Sequence, residues 1–192
     1  KVNAGEKCMI TGQSGSGKST SMNLLLGYYK PQSGEILIND SNAFGVKQLN
    51  EKIAIMRQDT VLFNDTLRNN LTMYRDMCDD ELIALLQKLN LHKFATPEGL
   101  DSMIREGGSN LSGGERKRIA LARTLLRKAP IAIIDEPLAN VDSETAEKIE
   151  DIFTELSGGI VFVITHHFSD DKKKAFAKEF RFSRNHVKHG GI

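Results

Sequence analysis

Two cysteines in 192 residues, Cys8 and Cys78, are too few for a disulfide framework, and Cys8 lies in an apolar run that reads as a strand. Both are expected to be reduced thiols of a cytosolic protein. A dominant charge is missing too. The 26 Lys and Arg stand against 25 Asp and Glu, so the overall balance does not point to nucleic acid or to an anionic surface. Apolar runs such as Ile131 to Ile134 and Ile160 to Ile164 are strand-sized, which excludes a membrane span within this sequence, and no signal peptide is visible. No internal repeat is present. Residues 1–11 contain no Tyr, Phe or Trp. What is present, 40% hydrophobic and 27% charged, suits a packed enzyme domain with one good core and a small satellite subdomain.

The most telling stretch is Gly12-Gln13-Ser14-Gly15-Ser16-Gly17-Lys18-Ser19, followed by Thr20, which fits the phosphate-loop pattern G-x-x-x-x-G-K-[ST]. It follows the short apolar run Cys8-Met9-Ile10 and precedes a helical segment from Met22 to Leu26. Glycines let backbone N–H groups turn inward around a triphosphate, and the following helix aims its positive end at the same anion. In that pattern Lys18 reaches the terminal phosphates and the Ser19 hydroxyl ligates Mg²⁺. The loop arrives early, after room for one strand, and the first residue is Lys1. An N-terminal portion is therefore expected to be missing, with a sheet edge beside residues 1–11 left unpaired.

Further along, Gly27 and Pro31-Gln32-Ser33-Gly34 are turn chemistry, and Glu35–Ile38 and Ile53–Met56 read as short strands. Residues Asp79 to Leu89 form an amphipathic pattern with Asp79 as N-cap and Leu82, Leu85, Leu86 and Leu89 on one face. A loop from Gly107 to Gly114 leads into a second helix, Glu115 to Arg127. The fully apolar strand Ile131–Ile134 ends in Asp135-Glu136. Ser143 to Leu156 reads as helix, and a last apolar strand, Ile160–Ile164, ends at Thr165-His166. Continuously apolar strands alternating with helices predict a mostly parallel sheet covered on both faces. The lysine-rich segment after Asp170 reads as a solvated helix face followed by an edge hairpin.

Several chemistry-bearing groups fall at the carboxyl ends of these strands. Asp135 is placed to support Mg²⁺, Glu136 to polarise an attacking water, and His166 to touch the terminal phosphate. Taken alone, Asp135-Glu136 could equally be an ordinary strand-end acid pair, but beside a phosphate loop that is the lesser reading, as is His166 as a cap or a solvated histidine. Leu111-Ser112-Gly113-Gly114-Glu115 combines a helix N-terminus, two glycines and a capping box, so Ser112, Gly113 and Gly114 are a second candidate anion site.

Here the chain resembles the ATP-binding cassette (ABC) family, whose signature reads LSGGQ or LSGGE. Gln58 matches the Q-loop glutamine, Asp135-Glu136-Pro137 the Walker B end, Asp142 the D-loop aspartate and His166 the switch histidine. Gln58 to Leu71 (QDTVLFNDTLRNNL) and Glu106-Gly107 resemble exporter-type members. The D-loop departs from the family, reading Ala139-Asn140-Val141-Asp142, and His166 is followed by His167-Phe168. The resemblance implies an α/β P-loop NTPase core spanning residues 1–192, with a helical subdomain at 59–128 carrying the signature. It implies ATP and Mg²⁺, the latter held by Ser19, Gln58 and Asp135. Catalysis would fall to Glu136, His166 and Gln58. Ser112, Gly113, Gly114 and Asp142 would close over nucleotide held by a second such domain.

The function implied is an ATPase cassette on the cytoplasmic face of a membrane. It would power an exporter whose transmembrane domain is fused upstream, with Val61, Leu62 and Phe63 forming a groove for a membrane-domain helix and no nucleic acid partner. The alternative is a soluble ABC ATPase acting on DNA or ribosomes, which would need coiled-coil insertions, tandem cassettes or a basic face.

Overall fold

Five strands lie side by side in a wholly parallel sheet. In spatial order they are Ile53–Met56 (β4), Ile131–Asp135 (β7), Ile160–Ile164 (β8), Lys7–Gly12 (β1) and Lys178–Phe182 (β9). The computed structural model describes residues 1–42, 49–59 and 61–183. Thr60 and the end of the C-terminal segment lie outside them. Helices Lys18–Leu25 (α1), Leu49–Lys52 (α2), Leu67–Thr72 (α3), Asp79–Lys88 (α4), Pro97–Leu100 (α5), Gly113–Leu126 (α6) and Ser143–Glu155 (α7) alternate with the strands. Among the described residues there are also two small antiparallel pairs, Leu37–Ile38 (β2) with Ser41–Asn42 (β3) and Asp65–Thr66 (β5) with Met103–Ile104 (β6).

Strands β4 and β8 are apolar throughout, and β7 is apolar up to Asp135, because successive side chains point to opposite faces and both faces are covered. On β1, Met9 joins the core shared with α3, α4, α6 and α7, while Ile10 joins the smaller core under α1. On β7, Ile134 and Ile133 divide in the same way. Phe153 of α7 and Ile119 of α6 are fully enclosed in the larger core.

Several local outcomes differ from the sequence reading. The strand expected at Glu35–Ile38 is only Leu37–Ile38, and it belongs to a hairpin rather than to the main sheet. Asn39 and Asp40 both take left-handed φ (48° and 62°), which folds the chain straight back onto β3. Cys78, not Asp79, precedes α4, and it makes no side-chain cap. Asp79 instead forms an ion pair with Arg68, which holds its carboxyl below the usual carboxylate range. Helix α6 begins two residues before Glu115, because the Ser112 hydroxyl accepts the Glu115 N–H at 3.2 Å while Glu115 accepts the Ser112 N–H at 2.8 Å.

No hairpin forms after Asp170 among the described residues. A single tight turn, Lys172–Ala175, feeds β9, which runs parallel to β1. For that reason β1 has a neighbour on each side, β8 and β9, and the edge expected beside residues 1–11 is filled from the C-terminal part of the chain.

Parallel register then fixes what stands at the carboxyl edge. Asp135 is level with Ile164, and Ile164 with Ile10. The residues just beyond these three, at 136, 165–166 and 11–12, therefore emerge beside one another.

Candidate functional site

The loop between β1 and α1 wraps around an ammonium group. Lys18 is 8% exposed, and its Nζ donates to the carbonyls of Gly12 at 2.6 Å and Gln13 at 3.0 Å. Two glycines make this geometry possible. Gly17 caps α1 at φ 101°, and Gly12 has φ 143° with the Phe182 carbonyl so close that a Cβ would stand 2.3 Å from it. Ser16 Oγ is buried without a hydrogen-bond partner, an acceptor and donor left over inside a loop of the anion-binding type.

A cleft of about 520 Å³ opens over this loop. It brings together Ser14, Gly15, Gly17, Lys18, Ser19, Thr20, Gln58, Asp135, Glu136 and His166, all of them expected from sequence. His166 Nε2 lies 3.4 Å from Lys18 Nζ and 3.3 Å from Glu136 Oε1. Glu136 is held there by backbone: its N–H donates to the Ile164 carbonyl at 2.8 Å, and its φ of 51° turns the chain out of β7. A left-handed glutamate is a strained choice that persists only where the surroundings fix it.

Asp135 is 8% exposed, and burial pushes its carboxyl above the usual carboxylate range. The neighbouring Glu136 adds to that, while Lys18, Lys117 and Arg57 pull the other way. A buried acid of this kind suits a cation site, since a bound dication would reverse the balance. Among the described residues no group of three or more His, Cys, Asp or Glu is assembled to hold a metal. The oxygen donors Ser19, Gln58 and Asp135 share one cleft, as suits Mg²⁺, which keeps several waters and phosphate oxygens and needs few protein ligands.

Ser112, Gly113, Gly114 and Asp142 do not line this cleft. Ser112 is exposed at the start of α6, and Lys93 pairs with its capping partner Glu115 at 2.5 Å. Asp142 caps α7, accepting the Thr145 N–H at 2.9 Å and the Thr145 hydroxyl at 2.7 Å, and the first of these bonds lowers its pKa most. Ala139 and Asn140, read from sequence as part of the D-loop, also line the cleft, and one cleft residue, Lys117, was not singled out from sequence. Of the expected apolar groove, Val61 and Phe63 are exposed (64% and 44%), but Leu62 is buried in the core. Tyr28 and Tyr29 stay outside the cleft, Tyr28 lying under the Arg57 guanidinium.

A parallel sheet with a phosphate loop after one strand, and acids at the end of the strand two places away, defines a P-loop nucleoside triphosphatase. The model of the ABC transporter family matches residues 1–139, and the chain belongs to that family. The ATP-dependent lipid A-core flippase of Syntrophus aciditrophicus (strain SB) is 40% identical over 174 residues, 88% of this chain and 29% of that protein. The glutathione/L-cysteine transport system ATP-binding/permease protein CydC of Escherichia coli (strain K12) is 39% identical over 170 residues, 86% of this chain and 30% of that protein. The structure of a bacterial Atm1-family ABC exporter with ATP bound aligns with a TM-score of 0.81 at 32% identity, covering 94% of this chain and 33% of that one. The chain thus spans about a third of the length of these relatives. None of the three is described as acting on DNA or ribosomes. Among the described residues no helix is long and apolar enough to cross a membrane.

Proposed function

We propose that this chain is the ATP-binding and ATP-hydrolysing cassette of a membrane exporter, sitting on the cytoplasmic face and driven by head-to-tail pairing with a second cassette. The observation that carries the reading is the contact chain Lys18–His166–Glu136 at the mouth of the phosphate loop, in a chain whose relatives are exporters and transport proteins. In this reading residues 59–128 form a helical subdomain carrying the signature, and a transmembrane domain belongs to the same polypeptide.

The geometry supports the following roles. Lys18, now satisfied by two loop carbonyls, exchanges them for terminal phosphate oxygens. Ser19, Gln58 and Asp135 would hold Mg²⁺, which when bound would supply electrostatic stabilisation of the phosphoryl group. Glu136 accepts a proton from the attacking water, and His166 keeps the carboxylate in place while facing the terminal phosphate. Ser112, Gly113, Gly114 and Asp142, which lie outside their own chain's cleft, serve the nucleotide held by the partner cassette. Exposed Val61 and Phe63 offer apolar contact to a membrane-domain helix.

The test is ATP hydrolysis by the full-length protein in lipid vesicles, beside its Glu136→Gln form. Steady turnover that disappears in Glu136→Gln supports the reading. Absence of turnover in the unaltered protein, or equal turnover in both, rejects it.

A further inference from the structure

Lys117 lies on the second turn of α6, and its Nζ donates to the Ala139 carbonyl at 3.1 Å. The same side chain lines the nucleotide cleft, where its charge also acts on Asp135. The segment it grips is an unusual piece of backbone. Glu136 and Asn140, on either side of Ala139, are both non-glycine residues in left-handed conformation, with φ of 51° and 62°. Inside this turn one weak bond runs from the Ala139 N–H to the Glu136 carbonyl at 3.3 Å. A turn strained at both ends keeps its shape only if something outside it holds on.

The Ile164 carbonyl, which accepts the Glu136 N–H, supplies one hold; helix α6 supplies another through a hydrogen bond and comes close at a further point. Lys117 takes the Ala139 carbonyl, and Gly114 lies against the next one, a Cβ there standing 3.6 Å from the Asn140 oxygen. Both residues belong to the helix whose first turn Ser112 caps. The signature end of α6 and the turn that follows Glu136 are thereby one packed unit.

We infer that Lys117 is a positioning residue, which fixes the Glu136–Asn140 turn, and with it the Glu136 carboxylate, to the N-terminal turns of α6. This rests on the reading of Glu136 as the base. A partner cassette closing on Ser112 would press on the same helix, so Lys117 also carries that contact to the reacting carboxylate. Proton transfer is sensitive to small misplacements, whereas the loop contacts of Lys18, to the Gly12 and Gln13 carbonyls, lie outside this turn.

The experiment uses the full-length protein in vesicles, with Lys117→Met, Lys117→Arg and Glu136→Gln. Loss of the grip in Lys117→Met should lower kcat about tenfold or more while leaving KM for ATP within about twofold. Lys117→Arg, which can still donate to the Ala139 carbonyl, should recover most of kcat. Should Lys117→Met not fold, Lys117→Gln is read for the same split. A raised KM at unchanged kcat would make Lys117 a direct nucleotide ligand and overturn the inference, as would wild-type values in Lys117→Met. An unaltered protein without turnover, or an active Glu136→Gln, instead places the failure in the underlying reading.

Discussion

Glu136 Oε1 and His166 Nε2 meet at 3.3 Å across the ends of two adjacent parallel strands. Their meeting is a consequence of register: with Asp135 level with Ile164, the next residues out are the glutamate and the Thr165-His166 pair. Thr165 then holds the histidine's turn closed, its hydroxyl donating to the His167 carbonyl at 2.7 Å. A carboxylate with 16% exposure and an imidazole with 40% thus share the cleft mouth, one inside and one towards solvent.

Replacing Glu136 by Gln keeps the shape of that contact and removes the proton acceptor. Turnover is expected to fall by about 10²–10⁴-fold, the usual contribution of general base catalysis. ATP binding by the loop should persist, so the variant is expected to run as an ATP-dependent dimer on size exclusion. Wild-type-like turnover would remove Glu136 from the base role.

Ser112 stands outside the cleft that holds Lys18, so a complete site needs two chains if the head-to-tail reading is right. Mixing a Lys18→Ala form with a Ser112→Arg form should then recover activity that neither has alone. One composite site carries both intact halves while the other carries both lesions. No recovery under conditions that form heterodimers argues against the arrangement or against sites that fire independently.

Much of this was legible in the linear sequence, for a physical reason. The strands β7 and β8 are buried on both faces, so Ile131–Ile134 and Ile160–Ile164 read as unbroken apolar runs, and the acids and histidine that follow them fall at the sheet edge. An edge hairpin was expected after Asp170, but the parallel pairing of β9 with β1 was not legible. Lys-Glu-Phe-Arg-Phe mixes charge and aromatics because an edge strand faces solvent, and its partner is the first strand of the chain. Lys117 was hidden differently. Its partner carbonyl lies 22 residues away, a relation created by tertiary packing of α6 and carried by no local pattern. Helix starts failed by one residue at α4, two at α6 and four at α1, which begins at Lys18 rather than Met22, where the cap geometry, rather than residue type, decided the boundary.

Gly12 is constrained by its neighbour in β9 as much as by nucleotide. A methyl group there would press to 2.3 Å from the Phe182 carbonyl, on a backbone with φ 143°. Gly12→Ala should destabilise the fold by about 1–3 kcal/mol, which for a chain of this size is roughly 3–10 °C in Tm. A thermal melt without nucleotide tests this, and an unchanged Tm would show that β9 can move aside at no cost.

Lys178 ties β9 to the start of the chain, donating to Glu6 Oε2 at 2.6 Å and to the Lys1 carbonyl at 2.7 Å. The Lys178 hydrogen bond, helped by the Asn3 N–H, lowers the Glu6 carboxyl from 4.5 to about 2. A depressed carboxylate stabilises the fold above its unfolded value and stops doing so as pH falls through its folded one. Glu6→Gln should therefore be less stable than the unaltered chain at neutral pH. The gap should close as pH falls from 4.5 towards 2. Melting both forms across that range gives the answer, and a gap independent of pH would show that the ion pair does not contribute to holding β9.

Nucleotide selectivity is the last expectation. Among the described residues no Tyr, Phe or Trp lines the cleft, and residues 1–11 supply none. Stacking of a base on an aromatic is worth about 1–3 kcal/mol, or roughly 5- to 150-fold in affinity. Without it the loop grips the triphosphate, which ATP and GTP share. Residues 1–192 alone are thus expected to bind ATP weakly and to distinguish it poorly from GTP. Titration of a fluorescent ATP analogue, competed by ATP and by GTP, measures both quantities. The same titration on the chain extended upstream by about 30 residues should show tighter ATP binding and a wider gap to GTP if an aromatic enters from that side. Equal and tight ATP affinity in both would mean that base recognition is already complete within this chain.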